Sequence, residues 1–469
     1  MKNIHFLILF LFSISTSLHY IVATSLHVKY LPGFEGPLPF ALETGYLSVG
    51  ESGDVELFYY FVKSERNPEK DPLMIWLTGG PGCSSICGLF FANGPLAFKG
   101  DVYNGTLPPL ELTSFSWTKV ANILYLESPA GSGYSYAKTP RALESSDAKQ
   151  IHQIDQFLRR WFVEHPEYTS NPFYVGGDSY SGHIVPGVVQ QISLGNEKGL
   201  TPFISLQGYV LGNPVTDIKI SNHKVSFAHR MGLISDELFE SFENSCGGTH
   251  MNVDPSNAKC LKDLQAYDNC ISEIYAEQIL LPNCPVDYRL PVIPQTLPNI
   301  KIGGRRELVE ISGNDTSSLP PPSCFTYRYF LSAIWANDEN VRRALGVKMD
   351  LGRWNRCNIQ NIPYTFDNDN AIPYHVNNSR KGFRSLIYSG DHDMMVPFTS
   401  TEEWIKGLNY SIVDDWRPWM MSSYEVAGYT RTYANKMTFA TIKGGGHTAE
   451  YKPDPCSLAF KRWIDGKPL

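Results

Sequence analysis

The chain has 469 residues, of which 42% are hydrophobic, 13% aromatic and 19% charged. This composition is ordinary for a globular protein with a large core, built either as two or three domains or as one large α/β fold with insertions. The formal net charge of −7 and the lack of any Lys/Arg-rich run argue against a nucleic-acid-binding surface.

The first 24 residues have the pattern of a signal peptide. Lys2 precedes an apolar run at residues 6–12, and Ser, Thr and small residues follow it. The run is too short to span a bilayer, and no later stretch approaches 18 uninterrupted apolar residues. We therefore predict a signal peptide at residues 1–24 and a mature protein of the secretory pathway, secreted or vacuolar, without a stable membrane anchor.

Sequons and cysteines agree with that location. Cysteines should partly pair in an oxidising compartment, and an odd number leaves at least one free. Because no C-x-x-C pair occurs, a zinc site has little support and we expect no metal. The N-x-Ser/Thr sequons are at Asn104, Asn314, Asn377 and Asn409. The nine cysteines are Cys83, Cys87, Cys246, Cys260, Cys270, Cys284, Cys324, Cys357 and Cys456.

Short apolar runs typical of β-strands recur along the chain. Helix-compatible stretches at residues 148–165 and 184–193 lie between some of them. Alternating strands and helices predict an α/β protein with a mostly parallel central sheet flanked by helices. The predicted strands are residues 55–62, 73–78, 122–127, 173–175, 207–211, 384–389 and 437–443.

Residues 213–331 break this alternation. They hold a cluster of cysteines and an irregular, Pro-rich stretch. We predict a cap or lid there, inserted between two parts of the core at residues 25–212 and 332–469. Arg305 and Arg306 lie in the middle of the irregular stretch. A basic pair in a loop fits either a processing site or an ordinary solvated surface loop.

A candidate nucleophile lies in the sequence VGGDSYSG, residues 175–182. In a nucleophile elbow, a Ser occupies a tight strand-to-helix turn, with small residues two positions before and after it. Around Ser179 those positions hold Gly177 and Ser181, whereas the usual pattern has Gly at both, and Gly182 comes one position late. Taken alone, the motif also fits a purely structural turn.

A serine nucleophile needs a base and a carboxylate that orients the base. His447 follows a predicted strand in the sequence KGGGHT, and Asp391 and Asp393 follow another in YSGDHD. The order Ser, Asp, His is that of the α/β-hydrolases, and either Asp fits it. His392 does not predict a metal site, because neighbours in an extended loop point apart.

Backbone donors for a developing oxyanion are predicted after the strand at residues 73–78. Gly79 and Gly80 can present N–H groups there, and the N–H of Tyr180, directly after the candidate nucleophile, would be the second donor. The glycines could instead cradle a phosphate, but no G-x-x-x-x-G-K motif occurs.

Five motifs together strongly resemble the serine carboxypeptidase family, and most of all its plant serine carboxypeptidase-like branch. The resemblance runs from about Val28 to the C-terminus, and the motif set is highly specific. The motifs are LTGGPGCSS from Leu77, ESPAGSGYSY from Glu127, GDSYSG from Gly177, SGDHD from Ser389 and GGGH from Gly444.

The resemblance implies an α/β-hydrolase fold with a cap insertion. It implies Ser179 as the nucleophile, His447 as the base and Asp393 as the orienting carboxylate, and it puts the oxyanion hole at Gly80 and Tyr180. A linker at about residues 285–320 is excised in some relatives. The disulfides that the resemblance implies are Cys83–Cys357, Cys246–Cys260 and Cys284–Cys324.

The choice between peptidase and transferase depends on the site for a substrate's carboxylate. Peptidases of the family use an amide where this chain has Thr78, and paired glutamic acids where it has Asp178 and Ala92. Such a pair donates a hydrogen bond only when one member is protonated, which like-charge proximity favours. The carboxylate site is therefore predicted to be dismantled, although other groups could have taken over its role.

Thr78 and the sequence around Asp178 are similar to plant acyltransferases of the family, which take an acyl group from a 1-O-acyl-glucose. We expect such an acyltransferase, with Thr78, Gly79, Asp178 and Ala92 at the substrate-binding site. The expected partners are a small-molecule acyl donor and an alcohol acceptor, without a cofactor. The alternatives are a serine carboxypeptidase or esterase and, less favoured, a catalytically silent binding protein.

Overall fold

A 12-stranded sheet forms the centre of the fold. The computed structural model describes residues 25–217, 223–248, 253–284 and 321–469. The strands are β1 (Leu26–Val28), β2 (Leu42–Val49), β3 (Val55–Val62), β4 (Leu73–Leu77), β5 (Leu96–Phe98), β6 (Leu110–Leu112), β7 (Asn122–Leu126), β8 (Tyr136–Ala137), β9 (Ser145–Ser146), β10 (Phe173–Asp178), β11 (Leu206–Gly212), β12 (Tyr364–Thr365), β13 (Arg384–Gly390), β14 (Ile412–Ser422), β15 (Glu425–Tyr433) and β16 (Met437–Ile442).

The helices lie between and after these strands. They are α1 (Pro140–Leu143), α2 (Asp147–Glu164), α3 (Ser181–Glu197), α4 (Lys224–Arg230), α5 (Asp236–Cys246), α6 (Ala258–Ile271), α7 (Tyr327–Asn337), α8 (Glu339–Ala344), α9 (Ile372–Arg380), α10 (Phe398–Gly407) and α11 (Pro453–Ile464).

The middle of the large sheet is parallel and its two sides are antiparallel. The strand order is β1-β2-β3-β7-β4-β10-β11-β13-β16-β15-β14, with β8 paired to β3. Strands β7, β4, β10, β11, β13 and β16 run parallel to one another. Strands β4 and β7 are buried along their whole length, which is expected of parallel strands covered on both faces. The predicted fold class is confirmed.

Two hydrophobic cores cover the two faces of the sheet. Alternate side chains of a strand point to opposite faces, and in β3 Phe58 and Tyr60 enter one core while Leu57 and Tyr59 enter the other. Helices α7 and α11 pack on the first face, and α2 and α3 pack on the second. This layering holds the carboxyl ends of the parallel strands at one edge, where ligands of such sheets bind.

The predicted strands match the six parallel strands of the sheet and the adjoining antiparallel strand β3. Residues 55–62 coincide with β3, and β10 continues three residues beyond the prediction, to Asp178. Strands β2, β14 and β15 were not predicted. They lie in the antiparallel sides of the sheet, and much of β14 is exposed, so its sequence lacks the apolar run that identifies the central strands.

The segment after β11 contains α4, α5 and α6, which have a small core of their own. Ile234, Phe242 and Tyr267 are buried in it, and the Cys246–Cys260 disulfide joins α5 to α6. A second cluster, including Phe227 and Met394, packs this predicted cap against the loop after β13. The cap therefore rests on the loop that carries Asp393.

Several predicted features lie at the margins of the described chain. The boundary predicted at residue 331 falls inside α7, whose Trp335 is buried in the main core. The predicted signal peptide, the linker at about 285–320, Arg305, Arg306 and Asn314 lie outside the described residues. No helix in the described ranges is long and apolar enough to cross a membrane. The sequon residues Asn104, Asn377 and Asn409 are exposed.

Candidate active site

Ser179 occupies a sharp turn between β10 and α3. Its φ of 55° is in the left-handed backbone region, which residues other than Gly rarely adopt. A Cβ on Gly177 would lie 2.7 Å from the Leu77 carbonyl oxygen, and one on Gly182 would lie 2.3 Å from the Val215 carbonyl oxygen. Both positions therefore require glycine. The turn has the geometry of a nucleophile elbow. The second residue that must lack a Cβ is Gly182, three positions after Ser179, instead of the usual residue two positions after the nucleophile.

The structure brings the three candidate catalytic side chains together in one chain of hydrogen bonds. Ser179 Oγ lies 2.8 Å from His447 Nε2, and His447 Nδ1 lies 2.8 Å from Asp393 Oδ2. Asp391, the other candidate, accepts hydrogen bonds from the Gly444 N–H and from His392 instead. The geometry thus assigns the orienting position to Asp393.

Asp393 is fully buried and its two carboxylate oxygens are both engaged. Oδ1 accepts the N–H groups of Met395 and Val396 at 2.7 and 3.2 Å. Oδ2 accepts the side-chain amide of Asn213 at 2.7 Å in addition to His447. Asn213 was not predicted from the sequence. Its signal is its place directly after β11, at the same sheet edge as the other site residues.

His447 lies among negative charges. Burial alone would lower the pKa of His447, but the charge and hydrogen bond of Asp393 outweigh it, and the net pKa is raised. Glu277 and Asp178 add to this effect. The site therefore stabilises the imidazolium, which forms whenever His447 takes a proton from the serine hydroxyl.

The predicted oxyanion donors also lie beside Ser179. A Cβ on Gly79 would lie 2.8 Å from the Tyr180 nitrogen, so this loop approaches the elbow as closely as glycine allows. The N–H of Gly79 donates to Asp178 Oδ1 at 3.1 Å. The N–H groups of Gly80 and Tyr180 have no acceptor in the described part of the chain. They are the two donors left for an oxyanion.

The three positions of the predicted carboxylate site differ in their surroundings. Thr78 Oγ1 is buried without a hydrogen-bond partner among the described residues. Burial raises the pKa of Asp178 to about 6, against the hydrogen bond from the Gly79 N–H. Ala92 ends a π-helical turn, is only 4% exposed and packs in the main core.

A second group of charged residues near the triad was not predicted. Arg356 lies 4.1 Å from the ring centre of Tyr329. Burial would lower the pKa of Arg356, but neighbours that include Glu277 and Glu450 raise it. The sequence gives no signal for this group because its members come from the cap, the segment after α8 and the loop after His447.

The disulfides are the pairs that the resemblance implies: Cys83–Cys357, Cys246–Cys260 and Cys284–Cys324. The first joins the loop of Gly79 and Gly80 to the residue after Arg356. Cys87, Cys270 and Cys456 are free thiols. Burial raises the pKa of Cys87 to about 12, so its thiol is not a competing nucleophile.

Replacing either Asp in turn tests the assignment of the orienting carboxylate. Asp393→Asn should lower kcat by about 10⁴-fold, because the amide favours the wrong tautomer of His447. Asp391→Asn should lose far less activity, since the hydrogen bonds of its carboxylate go to Gly444 and His392 and not to His447. Ser179→Ala should abolish turnover without changing the thermal unfolding midpoint. Equal losses in both Asp variants would contradict the assignment.

The titration of Asp178 can be followed through the reactivity of Ser179. The charge of Asp178 raises the pKa of His447, and Asp178 itself titrates at about 6. The pH profile of Ser179 modification by a fluorophosphonate should therefore contain an inflection near pH 6. Asp178→Asn keeps an acceptor for Gly79, and it should lose that inflection and reach full reactivity at lower pH. The control is Asp454→Asn, at an exposed position.

Comparison with known proteins places the chain among its relatives. The family model described as serine carboxypeptidase matches residues 32–466. Serine carboxypeptidase-like 19 of Arabidopsis thaliana is 78% identical over 470 residues and covers 100% of both chains. Serine carboxypeptidase-like 12 of the same plant is 53% identical, covering 99% of this chain and 98% of the relative.

A solved prohormone-processing carboxypeptidase from Saccharomyces cerevisiae has the same fold. Its TM-score is 0.69 at 18% sequence identity, and the match covers 94% of each chain. This likeness confirms the α/β-hydrolase architecture. The family model and the plant relatives match almost the whole length, so the chain belongs to the serine carboxypeptidase family.

Proposed function

We propose that the protein is an acyltransferase that moves an acyl group from a 1-O-acyl-glucose ester to an alcohol through an acyl-enzyme on Ser179. The observation that carries this proposal is the state of the carboxylate-binding positions. Ala92 has no polar side chain and is enclosed in the core. The carboxylate of Asp178 is already committed to the N–H of Gly79. Neither position supplies the acid pair that a carboxypeptidase of the family uses.

The proposed first half-reaction uses the triad to make an ester. Ser179 Oγ attacks the ester carbonyl while His447 takes the hydroxyl proton, and Asp393 stabilises the imidazolium. The N–H groups of Gly80 and Tyr180 would stabilise the negative oxygen of the tetrahedral intermediate. The bond to glucose then breaks as His447 returns its proton to the glucose oxygen, which leaves the acyl group on Ser179.

The second half-reaction repeats the chemistry with the acceptor alcohol. His447 takes the proton of the alcohol, the alcohol oxygen attacks the acyl carbonyl, and the proton finally returns to Ser179 Oγ. Water would give hydrolysis by the same route. Transfer therefore requires that the acceptor is positioned beside His447 and that water is excluded. The cap, which packs against the Asp393 loop through Met394, is the element that we expect to do this.

A carboxypeptidase is the second candidate, and Arg356 is the observation that favours it. A half-buried guanidinium near the triad can pair with a substrate's carboxylate. Arg356, however, already lies among the carboxylates of Glu277 and Glu450. Its charge is thus compensated within the protein, and a substrate carboxylate would have to compete with both of these groups.

The three disulfides favour a location in the secretory pathway, where thiols are oxidised. Of the predicted glycosylation sites, Asn104, Asn377 and Asn409 are exposed and sterically able to accept a glycan. We propose a secreted or vacuolar protein on these grounds.

Product analysis tests the proposed function directly. Purified protein incubated with 1-O-acyl-glucoses and a panel of small alcohols should form the transacylated ester and release glucose, and Ser179→Ala should form none. Blocked dipeptides with a free C-terminus should be poor substrates. Release of free acid alone, together with efficient cleavage of the dipeptides, would favour the carboxypeptidase instead.

Rebuilding the carboxylate site should move the protein towards peptidase activity. The triple variant Thr78→Asn, Ala92→Glu, Asp178→Glu restores the amide and the paired acids, and we expect its kcat/KM for blocked dipeptides to rise. The matched control carries Ala92→Gln in place of Ala92→Glu, so it has the same size but no second acid. Because Ala92 is buried, thermal unfolding must show that both variants are folded. No difference between them would contradict the interpretation of these positions.

A further inference from the structure

A short piece of the cap touches both catalytic loops. We name residues 275–279 the strap. The Met394 N–H donates to the Ala276 carbonyl at 2.9 Å, and the Ile279 N–H donates to the His392 carbonyl at 3.0 Å. These two hydrogen bonds fasten the strap to the residues immediately before and after Asp393.

The strap also holds the loop of His447. The N–H of His447 donates to the Glu277 carbonyl at 2.7 Å. The side-chain amide of Gln278 donates to the Gly444 carbonyl at 3.0 Å. A Cβ on Gly446 would lie 2.4 Å from the Glu277 carbonyl oxygen, so the contact requires glycine there. Two of the glycines that precede His447, Gly444 and Gly446, are thus in direct contact with the strap.

The strap is itself well supported. The N–H of Tyr275 donates to the Leu281 carbonyl at 2.9 Å, and the Asn283 N–H donates to the Glu273 carbonyl at 2.8 Å. Both hydrogen bonds close the base of the loop from which the strap projects. The next residue, Cys284, is joined to Cys324 just before α7. A closed, covalently anchored loop can hold its neighbours in place.

The side chain of Glu277 faces the same centre. The Tyr451 hydroxyl donates to Glu277 Oε2 at 2.8 Å. Burial would raise the pKa of Glu277, but the charges of His447 and Arg356 and the hydroxyls of Tyr451 and Tyr275 lower it. Glu277 is therefore ionised at neutral pH.

We propose that the strap is a positioning element of the triad and that Glu277 within it acts on His447. The main-chain carbonyl of Glu277 fixes the loop of the base, and its carboxylate adds to the stabilisation of the imidazolium that Asp393 provides. The charged groups that act on His447 are Asp393 in the loop after β13, Asp178 at the end of β10 and Glu277 in the strap. The proposal rests on the triad of the proposed function but not on the choice of acyl donor or acceptor.

The pH profile of Ser179 modification separates this role from a merely structural one. A fluorophosphonate forms a bond from Ser179 Oγ to phosphorus and loses fluoride, and His447 must be neutral to take the proton. Glu277→Gln keeps the size of the side chain and removes its charge. The pH at half-maximal rate should fall by about 1 unit, the lower end of the shift that a nearby charge produces.

Glu273→Gln is the matched control, because Glu273 is exposed and lies four residues earlier in the same loop. Its profile should superimpose on that of the wild-type protein. The proposal is overturned if Glu277→Gln also superimposes, or if both variants shift equally.

A second variant tests the strap through a different contact. Gln278→Glu removes the amide that donates to Gly444 and should lower the plateau rate of modification about tenfold, the equivalent of one hydrogen bond. Gln265→Glu, at an exposed position of α6, should have no effect. If Glu277→Gln does not fold, an unchanged plateau in Gln278→Glu overturns the proposal.

The two proposals fail in distinguishable ways. Wild-type protein that does not react with the fluorophosphonate would overturn the triad, and with it both the proposed function and the role of the strap. A normal reaction with the expected shift, but no transfer from any acyl-glucose, would overturn the choice of acyl donor and leave the strap's role intact.

Discussion

The left-handed backbone of Ser179 is the constraint from which the site is built. Such a conformation costs a residue with a Cβ about 1–3 kcal/mol, so it persists only where its surroundings enforce it. Here the Ser179 N–H donates to the Gly212 carbonyl at 2.9 Å, and the Ser179 carbonyl accepts the N–H groups of Gly182 and Val215 at 3.0 Å. The turn is thus fixed by the end of the neighbouring strand β11. The same strand end delivers Asn213 to Asp393, so nucleophile and orienting carboxylate share one support.

Charge compensation is the second organising feature. The carboxylates of Asp393 and Glu450, which are buried, and of Glu277, which is half-buried, lie near His447 and Arg356. Each carboxylate has at least one hydroxyl, amide or cationic partner. Buried charges are tolerated only when they are paired in this way. These charged residues come from the loops of the sheet, from the cap and from the C-terminal loop. Their contacts therefore also connect these three parts of the molecule.

Sequence reasoning located the triad because each member directly follows a strand of the parallel sheet, where chain order and position are tightly linked. Position after a strand could not by itself choose between Asp391 and Asp393, because both lie on the same loop after β13, and only the family resemblance pointed to Asp393. Sequence reasoning missed Glu277 and Arg356 for a different reason. Neither follows a strand of the sheet, and only the packing of the cap and the Cys83–Cys357 disulfide bring them to the centre.

Two of the disulfides would keep the active site together if the chain were cut between the cap and the second part of the core. A chain cut anywhere between residues 285 and 320 would leave Ser179 on one polypeptide and Asp393 and His447 on the other. Cys83–Cys357 and Cys284–Cys324 both bridge such a cut, whereas Cys246–Cys260 lies wholly on its N-terminal side. The product would be a two-chain enzyme with a divided triad, held by two covalent links: one beside the oxyanion loop and one beside the strap.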